Sequence, residues 1–133
     1  MKIGANSFGH QLPKLVYLQI TGNYKQPLDI EEEAFDGLHS LKTLYLRSNC
    51  LSTLKSGIFT GLTSLTDLYV SNSYFISLDP NGPFKSLPGL AKLVLEATNI
   101  QTVTSSLFLG LDSLQKLYLG YGYLTTIEPN AFK

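Results

Sequence analysis

The side chains able to do chemistry in this 133-residue chain are few and unevenly placed. His10 and His39 are the only histidines, and neither sits in a metal-ligand spacing or beside a nucleophile constellation. Gly120-Tyr121-Gly122 lacks the third glycine and the helix start of a phosphate-cradling loop. No catalytic set, metal site or cofactor is therefore expected. Cys50, the single cysteine, cannot close an internal disulfide, and it reads as a small, partly buried side chain, with a reactive thiol as the alternative. What remains is recognition chemistry. The chain holds eight tyrosines and no tryptophan, and tyrosine offers rigid contact area with a polar tip.

Composition narrows the ligand. Ten basic and ten acidic side chains cancel, so bulk charge does not draw the chain to a polyanion, and no nucleic acid is expected. An apolar share of 44% fits a globular chain, while no run approaches the roughly 20 residues of a membrane-spanning helix. The start, MKIGANSF, has no apolar stretch of a secretory signal, so an extracellular protein would have lost its signal or belong to a longer parent chain. None of the seven asparagines lies in an Asn-x-Ser/Thr sequon, which mildly disfavours dense glycosylation.

The elements that position the tyrosines follow from a period. Repeats start at Leu12, Leu38, Leu62, Leu87 and Leu111, after a partial repeat over 1–11, with the last one truncated. The fourth positions are Leu15, Leu41, Leu65, Leu90 and Leu114, the seventh Leu18, Leu44, Leu68, Leu93 and Leu117, and the ninth Ile20, Leu46, Val70, Leu95 and Leu119. The two-residue step from seventh to ninth predicts a short strand near 16–20, 42–46, 66–70, 91–95 and 115–119. Phe35, Phe59, Phe84, Phe108 and Phe132 close each coil, and Phe8 takes that place in the partial one. Gly37, Gly61 and Gly110 mark turns before the next repeat.

The stretch from Leu41 to Leu54, LKTLYLRSNCLSTL, resembles the leucine-rich repeat in its Phe-containing variety of about 24 residues, and the resemblance covers essentially the whole chain. It implies an α/β solenoid: a right-handed superhelix with a concave parallel β-sheet and an irregular or short helical convex side. It further implies an extracellular recognition protein of the kind found in Toll-like receptor ectodomains, lamprey variable lymphocyte receptors and Slit-type guidance proteins. The family's twelfth-position Asn, which bonds neighbouring coils, is Asn23 and Asn49 here but Ser73, Thr98 and Gly122 later, so that ladder should weaken toward the C-terminus. This irregularity is closer to a Toll-like receptor than to the more uniform lymphocyte receptors. Residues 1–133 thus read as one solenoid segment. Neither end carries a Cys-rich cap, which points to a fragment of a longer ectodomain or to ends covered by flanking repeats or a partner.

Residues between the inward leucines should form columns on the concave face, with neighbours about 4.8 Å apart. The eighth-position column is Gln19, Tyr45, Tyr69, Val94 and Tyr118; the sixth is Tyr17, Thr43, Asp67, Lys92 and Lys116; the tenth is Thr21, Arg47, Ser71, Glu96 and Gly120. All eight tyrosines, with Tyr24, Tyr74, Tyr121 and Tyr123 completing the set, fall between the sixth and thirteenth positions. Candidate ligand-binding residues are Tyr17, Tyr45, Arg47, Asp67, Tyr69, Lys92, Glu96, Tyr118 and Tyr121, centred on Tyr45, Tyr69 and Arg47. Asp67 and Lys92 are expected to form an exposed ion pair contributing under about 1 kcal/mol. Glu31-Glu32-Glu33 reads as a solvated surface, and the two-residue excess near Tyr24-Lys25-Gln26-Pro27 as a tolerated loop.

The functional expectation is non-catalytic recognition of a protein or other macromolecular ligand on the concave face, within an innate-immune or related extracellular receptor. The competing reading is a structural or interaction segment of a cytosolic or bacterial repeat protein, whose strand tyrosines only stabilise the sheet.

Overall fold

The computed structural model describes residues 1–23, 25–47 and 50–133. Tyr24 and the ladder residue Asn49 lie outside the described residues. The expected strands form with boundaries shifted by a residue or so: β2 (Tyr17–Thr21), β4 (Thr43–Arg47), β6 (Asp67–Tyr69), β8 (Lys92–Val94) and β10 (Lys116–Tyr118). They make one parallel sheet in the order β10-β8-β6-β4-β2, so each coil adds one strand beside the last. Register follows the repeat frame: Leu18 pairs with Leu44, Leu44 with Leu68, Leu68 with Leu93, and Leu93 with Leu117. The chain is a parallel β solenoid of the leucine-rich-repeat type.

The core sits inside this coil. Leu44, Leu68 and Leu93 are fully buried, as are Phe35, Phe59 and Phe84. Phe8 stacks on Phe35, Phe59 on Phe84 and Phe108 on Phe132, with centroids 5.6, 6.2 and 5.8 Å apart. The outer members of the same columns, Leu18, Leu117 and Phe8, are only partly buried, because a neighbouring coil covers them on one side alone. Gly37 and Gly61 end their coils at φ of +90°, a conformation that side chains strain to adopt.

A second ladder returns the chain, where the family resemblance implies an irregular or short helical convex side. β1 (Lys2–Ile3), β3 (Pro27–Ile30), β5 (Cys50–Leu54) and β7 (Tyr74–Leu78) pair in parallel, and β9 (Thr102–Val103) pairs separately with β11 (Thr126–Ile127). The only helix among the described residues is a 3₁₀ turn over Ser56–Phe59. The signal for this ladder is present in the apolar alternation of Leu28 and Ile30, whose side chains are buried while Pro27 and Asp29 stay exposed. Between β7 and the next coil no strand pairs. There Asn99 substitutes for one: its Oδ1 accepts from the Phe75 N–H and its Nδ2 donates to the Phe75 carbonyl, both at 2.9 Å.

The coil-bridging role expected of twelfth-position side chains is thus redistributed. Ser73 donates from its buried hydroxyl to the Leu46 carbonyl of the preceding coil at 3.1 Å. Asn23 accepts from Lys25 N–H two residues on, folding the extra residues of the first coil into a local turn. At Gly122 a Cβ would lie 2.5 Å from the Thr98 carbonyl oxygen, so the coils approach too closely there for any side chain. The acidic run is not wholly solvated either: Glu31 pairs with Lys2 and accepts from Ala5 N–H at 2.9 Å, tying the partial coil to the first.

Candidate recognition surface

The concave sheet places its outward side chains by register. Tyr17, Thr43, Asp67, Lys92 and Lys116 stand side by side, as do Gln19, Tyr45, Tyr69, Val94 and Tyr118. Parallel pairing of equal repeat positions is what turns a sequence period into a column.

Within that frame the tyrosines engage one another. Tyr45 and Tyr69 stack nearly face to face, with centroids 4.1 Å apart and planes 9° from parallel. Tyr17 tilts against Tyr45 at 5.4 Å and donates from its hydroxyl to Gln19 Oε1 at 2.9 Å. Burial, reinforced by a hydrogen bond with Tyr69, holds the Tyr45 phenol above its ordinary ionisation range.

Cations complete the stack. The Arg47 guanidinium carbon lies 4.4 Å from the Tyr45 centroid. The Lys92 ammonium lies 4.9 Å from the Tyr69 centroid and 5.4 Å from that of Tyr118, in the gap that Val94 leaves in the tyrosine column. Each such contact contributes roughly 0.5–1 kcal/mol at an exposed site. A hydrogen bond to Tyr69 is the main cause holding the Lys92 proton more tightly than usual.

The expected Asp67–Lys92 ion pair does not form. Asp67 Oδ2 accepts from the Thr66 hydroxyl at 2.7 Å, and Lys2–Glu31 is the only ion pair among the described residues. Short Asp finds a partner one residue away, while the long Lys stem reaches the aromatic faces.

Arg47, Tyr69, Lys92, Glu96 and Tyr118 come together around one concave hollow of about 260 Å³, with Ser71 and the buried Val94 completing its lining. Tyr17 and Tyr45 adjoin it through the stack, and Asp67 stands in the neighbouring column. Tyr121 is elsewhere. It lines a separate groove of about 640 Å³ with Tyr74, Tyr123, Ala97 and Cys50, beyond the ends of the concave strands. Tyr74, Tyr123 and Cys50 are not among the candidate binding residues that the sequence suggests. Their shared position late in the tyrosine window was the available signal.

The family model described as Leucine rich repeat matches residues 13–75 and 88–133. Among solved structures, the crystal structure of a TLR13–ssRNA13 complex is similar, at a TM-score of 0.85 and 30% identity over 99% of this chain. The chain spans 18% of the length of that protein's chain. No curated protein matches significantly.

Proposed function

The chain belongs to the leucine-rich repeat family, and from that premise we propose that its concave sheet is a preformed recognition surface for a protein ligand, within a Toll-like or related extracellular receptor. It is a non-catalytic module. The observation that carries this reading is the continuous series in which Tyr17, Tyr45, Tyr69 and Tyr118 are linked by stacking and by Arg47 and Lys92. Rings and cations locked together before a ligand arrives lose little freedom when it binds, which leaves more of the contact energy as affinity. The 260 Å³ hollow between Arg47, Lys92 and Glu96 is where an anchor side chain of the ligand would enter.

The similar receptor was crystallised with ssRNA13, and that raises RNA as a second ligand class for this chain. The concave geometry favours protein over RNA. Single-stranded nucleic acid is held by open aromatic faces that take bases and by a basic groove that follows the phosphates. Here the faces of Tyr45 and Tyr69 cover each other or lie under cations, so these two rings offer edges and hydroxyls. The charges around the hollow are mixed, and the chain's net charge is zero.

The test is a paired comparison of the wild-type chain with Tyr45→Ala/Tyr69→Ala as baits in extracellular fluid, read by quantitative mass spectrometry and accompanied by thermal unfolding of both. A protein retained by the wild type and lost from a still-folded variant supports recognition. Equal capture with a lowered Tm instead supports the structural reading, in which the tyrosines serve only the sheet. Anisotropy with a fluorescent single-stranded RNA at low salt should show no saturable binding, and saturable binding would replace the protein ligand with RNA.

A further inference from the structure

The geometry points to the concave hollow as the seat of an acidic side chain of the protein ligand, its carboxylate taken up by Arg47 and Lys92. This rests on the reading of the concave face as a protein-recognition surface and names the chemistry of its anchor.

The hollow exists because two short side chains stand among longer ones. Val94 pairs with Tyr69 on one side and with Tyr118 on the other, so it opens a gap between two rings of the eighth-position column. Ser71 lies beside Glu96, because the Val70 N–H donates to the Val94 carbonyl at 2.8 Å and the Asn72 N–H to the Glu96 carbonyl at 3.0 Å, continuing the ladder past the strand. Arg47, Tyr69, Lys92, Glu96 and Tyr118 rim the opening that these two residues leave.

The rim holds cations that are positioned but not neutralised. Arg47 lies over Tyr45, and Lys92 lies over Tyr69 and Tyr118; neither meets a carboxylate among the described residues. A ring face attracts the charge of an ammonium or guanidinium but cannot satisfy all of its N–H donors. Asp67 stands beside Lys92 in register, yet its carboxylate accepts from the Thr66 hydroxyl. Glu96 shares the hollow and forms no ion pair with either cation.

Charge and polarity select the occupant. Arg47 and Lys92 against Glu96 leave one net positive charge on the rim, and Asp67 and Lys116, on either side of Lys92 in the sixth-position column, offset each other. A single carboxylate cancels that excess, whereas a phosphate group brings about −1.5 to −2 at neutral pH. A basic anchor meets two like charges for one opposite. An apolar anchor covers both cations without pairing them, and the one aliphatic side chain in the lining, Val94, is only 6% exposed. A carboxylate gains charge-assisted hydrogen bonds, about twice as strong as neutral ones. Contact surface continues past the hollow, through Tyr45 and Tyr17 in one direction and Lys116 in the other, so a ligand crossing the face presents a side chain there rather than a chain end.

Selection of a random heptapeptide library, displayed on phage, against the immobilised chain tests the inference. Peptides with Glu or Asp at one recurring position are expected, and changing that residue to Gln or Asn in the synthetic peptide should weaken binding about tenfold or more. Arg47→Gln/Lys92→Gln, checked for folding by circular dichroism, should weaken it likewise. Lys92→Glu makes the rim net negative and should turn the selected residue to Lys or Arg. The inference is overturned by an acidic consensus that binds the folded double variant like the wild type, by a basic consensus that is lost in Glu96→Gln, or by an uncharged consensus that is lost in Tyr45→Ala/Tyr69→Ala. That last outcome leaves the recognition reading intact, whereas the absence of any consensus overturns both.

Discussion

Asn99 does with one amide what the other coils do with a strand residue, satisfying both the N–H and the carbonyl of Phe75. Replacing it with Ala leaves two part-buried backbone groups without partners, and each costs on the order of 1–3 kcal/mol. Asn99→Ala should therefore lower the urea midpoint clearly, and Asn99→Asp, which keeps the acceptor but loses the donor, should fall below the wild type as well. Asp79 makes a pH-dependent counterpart. Its carboxylate accepts from Asn81 N–H at 2.9 Å and Ser56 N–H at 3.2 Å, and these bonds hold its pKa below the ordinary value of 3.8. A depressed carboxyl contributes stability that is complete above its ordinary pKa and is lost as pH falls through the folded-state value. Urea midpoints measured between about pH 5 and pH 2 should drop, and the drop should be shallower in Asp79→Asn. An unchanged slope would show that the two backbone bonds do not favour the charged form.

At the level of the coil, equivalent leucines are not energetically equivalent. Leu93 in β8 is fully buried between two neighbouring strands, whereas Leu117 in β10 has a coil on one side only. Truncating a buried leucine to alanine costs roughly 2–5 kcal/mol, least where the site is already open. Leu93→Ala is thus expected to destabilise more than Leu117→Ala, by a difference that chemical denaturation resolves. The turns are just as position-specific. A Cβ on Gly37 would stand 1.9 Å from the Gly9 carbonyl oxygen, deep inside van der Waals contact and at positive φ, so Gly37→Ala should cost more than about 1 kcal/mol.

Across the whole molecule, each sheet ends in an open strand. β2 and β10 bound the concave sheet, and Leu12, Val16, Ile127 and Phe132 lie exposed near the two end faces. Edges of this kind pair readily with other chains, and solenoid ends are normally covered. Light scattering of the chain expressed alone should show mass rising with concentration, and Ile127→Lys/Phe132→Lys should suppress that rise. A folded monomer at every concentration would mean that the end faces are tolerated in water.

The repeat frame dictates the coil. Leucines at the fourth, seventh and ninth positions must face inward together, and parallel pairing of equal positions then fixes the register and the concave columns, including the adjacency of Tyr45 and Tyr69. It also carried the phenylalanine stack and the glycine turns, because both recur with the repeat. What breaks the period emerges only from the packing of unlike coils. Lys92 lies over tyrosine rings rather than against Asp67 because Val94 leaves a gap beside it, which depends on which coils adjoin. Asn99 replaces a missing strand, and Tyr121 faces a lateral groove instead of the concave hollow, for the same reason. A repeat specifies the contacts that every coil makes, but side chains from unlike coils meet in combinations that no single repeat encodes.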